Sequence, residues 1–228
     1  SRGLGDVYKR QPYKRTNETL MEHNFIRPFG PTIYHGVLTQ DEVWYLQQVA
    51  QDTKEGQNVG HDLAGNIKDQ KGIVVKDMEK FSEVIQPHIR RYAKYEDERF
   101  NSHLITPKET KNYDNVDFNL GTGPWINYQI KDEFNPMHSH SGMISAVVYI
   151  DVPEVIANEE YTKNTNMNCP GQIEFMYGPD VVGANGTHKI IPKTGDFLLF
   201  HAGLKHTVYP FKSDVTRTSM SFNVMGMN

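Results

Sequence analysis

Asn135-Pro136-Met137-His138-Ser139-His140-Ser141-Gly142 runs directly into Met143-Ile144-Ser145-Ala146-Val147-Val148-Tyr149-Ile150. The second half is apolar and rich in β-branched residues, so it reads as a largely buried strand. In extended chain, residues two apart point to the same face. His138 and His140 therefore stand side by side, anchored by a rigid strand. Two imidazoles so placed are half of a transition-metal site, histidine being the commonest side-chain ligand for such ions. A pair of histidines with no metal is the alternative that the motif alone leaves open.

The rest of the composition narrows the chemistry. The chain has 228 residues, 37% of them hydrophobic and 11% aromatic, enough for one large domain with a proper core. Its formal charge of -4 comes from mixed signs, with no basic face or tail, so nothing suggests nucleic-acid binding. No stretch reaches the roughly 18 apolar residues of a membrane span. Cys169, the single cysteine, excludes an internal disulfide framework and a cysteine-rich zinc site. It fits a reducing, cytoplasmic compartment.

Outward from the motif, the two ends of the chain differ in character. Ser1 to Gln11 shows no periodicity, no initiator Met and no signal-peptide core. It resembles the adapter-derived leader of translated metagenomic assemblies, a native disordered arm being the alternative, and residues 1–11 are set apart from the fold. Residues 12–120 read as a helical and loop extension. Ile33 to Val37 is a short strand, and Thr39-Gln40-Asp41-Glu42 has the form of a capping box opening a helix over 40–52. Gly56 to Gly72 reads as a loop. From Asp77, the positions Met78, Phe81, Val84, Ile85, Ile89, Tyr92 and Ala93 form a helical stripe, and Pro87 should kink or split it. Asn101 to Asn119 stays open between loop, short helix and extended chain.

After Gly121, short β-rich runs follow one another at near-regular spacing, at about 124–131, 143–150, 171–177, 187–191, 196–201, 206–210 and 216–225. No helical pattern separates them, so residues 121–228 predict an antiparallel sandwich or barrel. The helices should cover this β core as part of one structural unit. Val155 to Pro170 is polar and aperiodic, and reads equally as a loop that with Gly56 to Gly72 shapes an entrance or as a disordered segment.

Three further pieces of this half carry chemistry. In Arg217-Thr218-Ser219-Met220-Ser221-Phe222-Asn223-Val224, polar and apolar residues alternate almost strictly. The polar face either meets water or lines a barrel interior, where Arg217 would clamp a carboxylate in its planar fork and Ser219 would add a hydrogen bond. Asn127 and Gln129 share a face of Trp125 to Gln129 in the same way. His206 follows the turn Ala202-Gly203-Leu204-Lys205 and begins another strand, ahead of Arg217. His188 and His201 read as structural, as do His23, His35, His61, His88 and His103. Asp132 or Glu133 could supply a carboxylate ligand only if their loop folded back. Tyr149 could reach a bound co-substrate through its hydroxyl or belong to the core.

Taken in order, His138-Ser139-His140, His206 and Arg217-Thr218-Ser219 resemble the 2-oxoglutarate/iron(II)-dependent oxygenases. Their pattern is His-x-Asp/Glu, a distal His, then Arg-x-Ser. The stretches Trp125 to Asn127, Asn135 to His140, Gly195 to Phe200 and Arg217 to Asn223 are most similar to an uncharacterised hydroxylase-like branch found in bacteria and phages of aquatic environments. The likeness covers 121–228, with Leu63-Ala64-Gly65-Asn66-Ile67 as a weak extension. One departure stands out: His140 replaces the carboxylate of the usual two-histidine, one-carboxylate set.

The resemblance implies a mainly β fold, a double-stranded β-helix (jelly roll, cupin-like) with N-terminal helices packed on the outside. It implies iron(II) on His138, His140 and His206, with 2-oxoglutarate and O2 as co-substrates. Arg217 and Ser219 would hold the distal carboxylate, with Asn127 and Gln129 as further contacts and no protein acid or base needed. The implied reaction decarboxylates 2-oxoglutarate to succinate and hydroxylates an unactivated C–H bond of a small molecule or peptidyl side chain. No nucleic acid or membrane is expected, and a homodimer is compatible.

Other readings remain open at this point. His140-Ser141-Gly142 also resembles the His-x-Gly of halogenating members. Three histidines on a β-barrel resemble the thiol dioxygenases, which use no keto acid. A non-enzymatic jelly-roll module binding a metal or ligand would show no 2-oxoglutarate affinity.

Overall fold

The computed structural model describes residues 22–100, 112–121, 123–160, 167–179, 181–182 and 185–227. The leader, residues 101–111 with His103, and residues 161–166 of the polar stretch Val155 to Pro170 lie outside the described residues. The strands are β1 (His23–Ile26), β2 (Ile33–Val37), β3 (Gln70–Gly72), β4 (Phe118–Asn119), β5 (Trp125–Gln129), β6 (Asn135–His138) and β7 (Ile144–Asp151). They continue with β8 (Ile173–Met176), β9 (Thr187–Ile190), β10 (Asp196–His201), β11 (Lys205–Val208), β12 (Arg217–Val224) and β13 (Gly226–Met227). The helices are α1 (Gln40–Thr53), α2 (Met78–Phe100) and the single turn α3 (Glu154–Ala157).

Two antiparallel sheets form the β layers, and β4 and β13 pair separately as a two-stranded third. The larger has seven strands in the order β1-β2-β10-β7-β12-β5-β3, and the smaller has four in the order β6-β11-β8-β9. Side-chain alternation along β10 defines the layers. Phe197 and Leu199 pack with Leu46 of α1 and with Val84, Ile85 and Ile89 of α2. Leu198 and Phe200 pack with Ile173, Phe175 and Val208 of the smaller sheet. The larger sheet thus lies between helices on one face and the second sheet on the other. This is the jelly roll with helices outside that the sequence implied. A strand buried on both faces reads as a continuous apolar run, and Phe197-Leu198-Leu199-Phe200 is one.

Thr39 caps α1 as expected: its Oγ1 accepts from Glu42 N–H, and Glu42 Oε2 accepts from Thr39 N–H at 2.7 Å. Pro87 does not divide α2, which runs for 23 residues. Phe81, Val84, Ile85, Ile89 and Tyr92 give α2 a continuous buried face, and that packing holds the helix together across the missing N–H.

The reading of Gly56 to Gly72 as loop is corrected at its end. Gln70–Gly72 is an edge strand, paired with Asn127, Ile126 and Trp125 of β5. β1 also goes unmarked in the sequence. Elements this short carry no periodicity of their own, and their partner strand defines them.

Candidate metal centre and its cavity

His138 and His206 are direct cross-strand partners between β6 and β11. Such partners on one face sit side by side, so pairing alone brings together residues far apart in the chain. β6 is the edge of its sheet, which is why it tolerates Pro136. His140 lies beyond the end of that strand rather than on it. The turn carrying it is tied down where its N–H donates to Ala202 O at 2.9 Å, beside the turn that leads into β11. Gly142, with φ of 101°, lets the chain reverse into β7.

The three rings converge, with centroids 4.3 to 5.1 Å apart. One nitrogen from each lies within 4.8 Å of the other two. Nδ1 of His138 lies 2.7 Å from Pro136 O, and Nδ1 of His206 lies 2.9 Å from Leu204 O. A ring donating through Nδ1 to a carbonyl presents Nε2 as a lone pair, the tautomer being assigned by that partner. Nε2 of His206 faces Nε2 of His140 at 3.3 Å. Burial holds His206 down to about 3 and His140 down to about 4, with the neighbouring His138 adding to each. Both rings are therefore neutral near pH 7, the form a metal needs.

The histidines open onto a cavity of about 470 Å³ between the two sheets. Its floor is the polar face of β12, with Arg217, Ser219, Ser221 and Asn223, joined by Asn127 and Gln129 of β5 and Tyr149 of β7. Met220, Phe222 and Val224 turn the other way into the helix-side core. The alternation read in β12 is therefore interior-polar and core-apolar.

Arg217 is 3% exposed. Its Nη1 donates to Gly171 O and its Nη2 to Gln129 Oε1, while its Nε is buried with no partner. Burial lowers its pKa, and Tyr149 below the guanidinium, 5.5 Å from ring centroid to Cζ, works against that. Among the described residues no carboxylate pairs with it. The Tyr149 hydroxyl is likewise buried without a partner, and burial pushes it up to about 12. A buried cation without a counter-ion, beside an unpaired hydroxyl donor, fits the carboxylate of a dicarboxylate ligand. The three converging imidazole nitrogens fit a borderline divalent ion.

Asn127 accepts from Gln70 Nε2 at 2.8 Å and reaches Ser219 Oγ and Ser221 Oγ at 3.4 and 3.3 Å. Gln129 is engaged on both sides, by Arg217 and, through its Nε2, by Glu133 O. Gln70 went unread because its strand did. The signal available was the β-branched run Ile73-Val74-Val75 just after it. Asp132 and Glu133 do not line the cavity. Asp132 pairs with Lys212, and Glu133 accepts from Lys68 N–H and Ile130 N–H. His188 and His201 stand outside the triad, and His201 Nδ1 accepts from Gly203 N–H.

Residues 123–223 match the family model described as "Putative 2OG-Fe(II) oxygenase". Among solved structures, a prolyl-4-hydroxylase of Pseudomonas putida aligns with a TM-score of 0.51 at 16% identity, covering 84% of this chain and 91% of that one. An oxidoreductase of the 2OG-Fe(II) oxygenase family from Burkholderia pseudomallei gives 0.46 at 12% identity, covering 81% and 78%. A prolyl hydroxylase of Trichoplax adhaerens, in complex with a hypoxia inducible factor peptide, gives 0.46 at 15% identity, covering 81% and 75%. The likeness to the Pseudomonas enzyme is one of fold. No curated protein matches the chain.

Proposed function

We propose that this protein is an iron(II)- and 2-oxoglutarate-dependent dioxygenase. It hydroxylates an unactivated C–H bond of a small molecule or peptidyl side chain while 2-oxoglutarate is decarboxylated to succinate. The observation that carries this reading is the opening of the histidine cluster and the uncompensated Arg217 into one cavity. The family match across 123–223 supports it.

In this reading His138, His140 and His206 hold the iron, which supplies the activation of O2. Arg217 binds the distal carboxylate of the keto acid through its unused N–H groups, with Ser219 and the Tyr149 hydroxyl donating alongside. Gln129 and Gly171 O fix the guanidinium plane from behind, so the clamp is set before the ligand arrives. Asn127, aimed by Gln70, gives the ligand a polar flank. Phe200, Ile173 and Val208 line the cavity with apolar surface and limit water. No side chain is asked to move a proton.

No described helix is long and apolar enough to cross a membrane. We place the reaction in a reducing, cytoplasmic compartment, to which the buried thiol of Cys169 is suited. A second reading follows from His140: three histidines also suit a keto-acid-independent dioxygenase, in which Arg217 would bind the substrate carboxylate itself. Succinate formation from 2-oxoglutarate under air separates the two. Turnover that is present in the iron-loaded protein and lost in His206→Ala supports the first reading. Full turnover in that variant would remove His206 from the ligand set.

A further inference from the structure

The charge inside the cavity does not balance, and this rests on the functional reading just given. Among the described residues lining the cavity, Asp62 is the one carboxylate, and it sits at the rim. Its side chain is 75% exposed and lies 3.2 Å from His61 Nε2, so water screens it. Asp132 and Glu133 are turned away into other contacts. The partners of Arg217 are a carbonyl and a carboxamide, both neutral. An imidazole that ligates a metal brings no charge of its own, so a divalent ion on His138, His140 and His206 keeps its whole charge. Metal and guanidinium together carry three positive charges, and a keto-acid dianion cancels two. A carboxylate at position 140 would cancel the third, but the chain has a histidine there. An uncancelled charge in a partly desolvated cavity is costly, and it draws an anion.

We propose that the primary substrate is an organic anion, and that its carboxylate is drawn to the metal face of the cavity by the charge that His140 leaves uncancelled. The surroundings suit such a group. Ser139 and Ser141 flank His140, line the cavity and are exposed at its mouth, so two hydroxyl donors are within the approach to the metal face. Trp125 stands beside His140, with ring centroids 6.4 Å apart, and offers an apolar wall for the rest of the molecule. Arg217 lies deeper in the cavity and is taken by the keto acid, so the two anions have separate partners. The same logic disfavours cationic substrates, which would add to the excess.

The test uses the cobalt(II)-loaded protein, saturated with 2-oxoglutarate, in chloride-free buffer without oxygen. Sodium acetate and, separately, sodium azide are titrated in while the cobalt d–d absorption is followed. Equilibrium dialysis checks that the keto acid stays bound. The expected result is a saturable shift with acetate. It should weaken at least about tenfold in His140→Asp and in His140→Glu, where a carboxylate cancels the charge. Both variants should still take up cobalt and keto acid, which shows that they are folded. An absent acetate shift, or carboxylate variants that bind acetate as tightly as the original chain, would overturn the proposal. A response to azide alone would also overturn it, making the site one for small inorganic anions. If the cobalt protein bound no 2-oxoglutarate, the functional reading would fall. An absent acetate shift with the keto acid bound would overturn the substrate proposal alone, so the two failures are distinguishable.

Discussion

Arg217 concentrates the account at the level of single residues. A buried guanidinium held by two neutral acceptors is set in place but not neutralised, which is the condition for a ligand clamp and a poor one for a structural ion pair. Arg217→Ala should therefore weaken 2-oxoglutarate binding by at least about tenfold and leave metal uptake intact, as measured by calorimetry on metal-loaded protein. Tyr149→Phe separates function from packing. The hydroxyl has no partner in the fold, so its removal should leave the unfolding midpoint nearly unchanged while keto-acid affinity drops several-fold. A large loss of stability in Tyr149→Phe would mean that the hydroxyl has a structural partner. At this scale the sequence was most legible, because imidazole and guanidinium announce their chemistry by type. What it could not tell was where His140 sits. That position depends on a hydrogen bond to Ala202, some sixty residues on, and no local pattern encodes it.

Among elements, β12 was readable in its two faces but not in which of them lines the cavity, since a polar face meets water or a barrel interior with the same alternation. Its alternation named both faces, and pairing with β5 and β7 then set Ser219 opposite Asn127 on one side and Tyr149 on the other. β3 was not readable. Three residues cannot display a period of two, and Gln70 gains its role only from standing opposite Asn127. The turn after His140 gives a test of element geometry. A Cβ on Gly142 would meet Val224 O at 2.9 Å, at a positive φ that side chains rarely adopt. Gly142→Ala should cost about 1–3 kcal/mol and weaken metal binding, because the displaced turn carries His140. Gly178→Ala is the control: its φ is also positive, but nothing lies within 4 Å of the added atom. Equal losses of metal affinity in the two variants would show that strain at a distance, not displacement of the turn, governs the site.

For the molecule as a whole, the layers were legible from where apolar runs are continuous and where they alternate. The order of strands was not, since it depends on pairings between distant segments. The same layering buries histidines. His88 of α2 is fully buried against Phe197, bonded to Tyr34 through Nδ1 at 2.8 Å, with Nε2 unpartnered. Burial holds it down to about 3, helped by Arg91 and His23. His206 and His140 are held at about 3 and 4 for the same first reason. In the unfolded chain such groups titrate near 6.5, so between these limits the unfolded state binds more protons. Stability of the metal-free protein should be level above about pH 6.5 and fall as the pH drops toward about 3. Urea midpoints taken near neutrality and at about pH 5 should show the fall, with a shallower slope in His88→Phe. Midpoints that do not move would contradict the burial of these rings.

The central claim is that one cavity joins a three-histidine metal site to a carboxylate clamp. Anaerobic titration of the iron(II)-loaded protein with 2-oxoglutarate tests it directly, through the visible metal-to-ligand charge-transfer band. The account predicts a saturable band in the original chain, shifted to far higher 2-oxoglutarate concentrations or lost in Arg217→Ala. With iron demonstrably bound, absence of the band, or a band indifferent to Arg217, would contradict it.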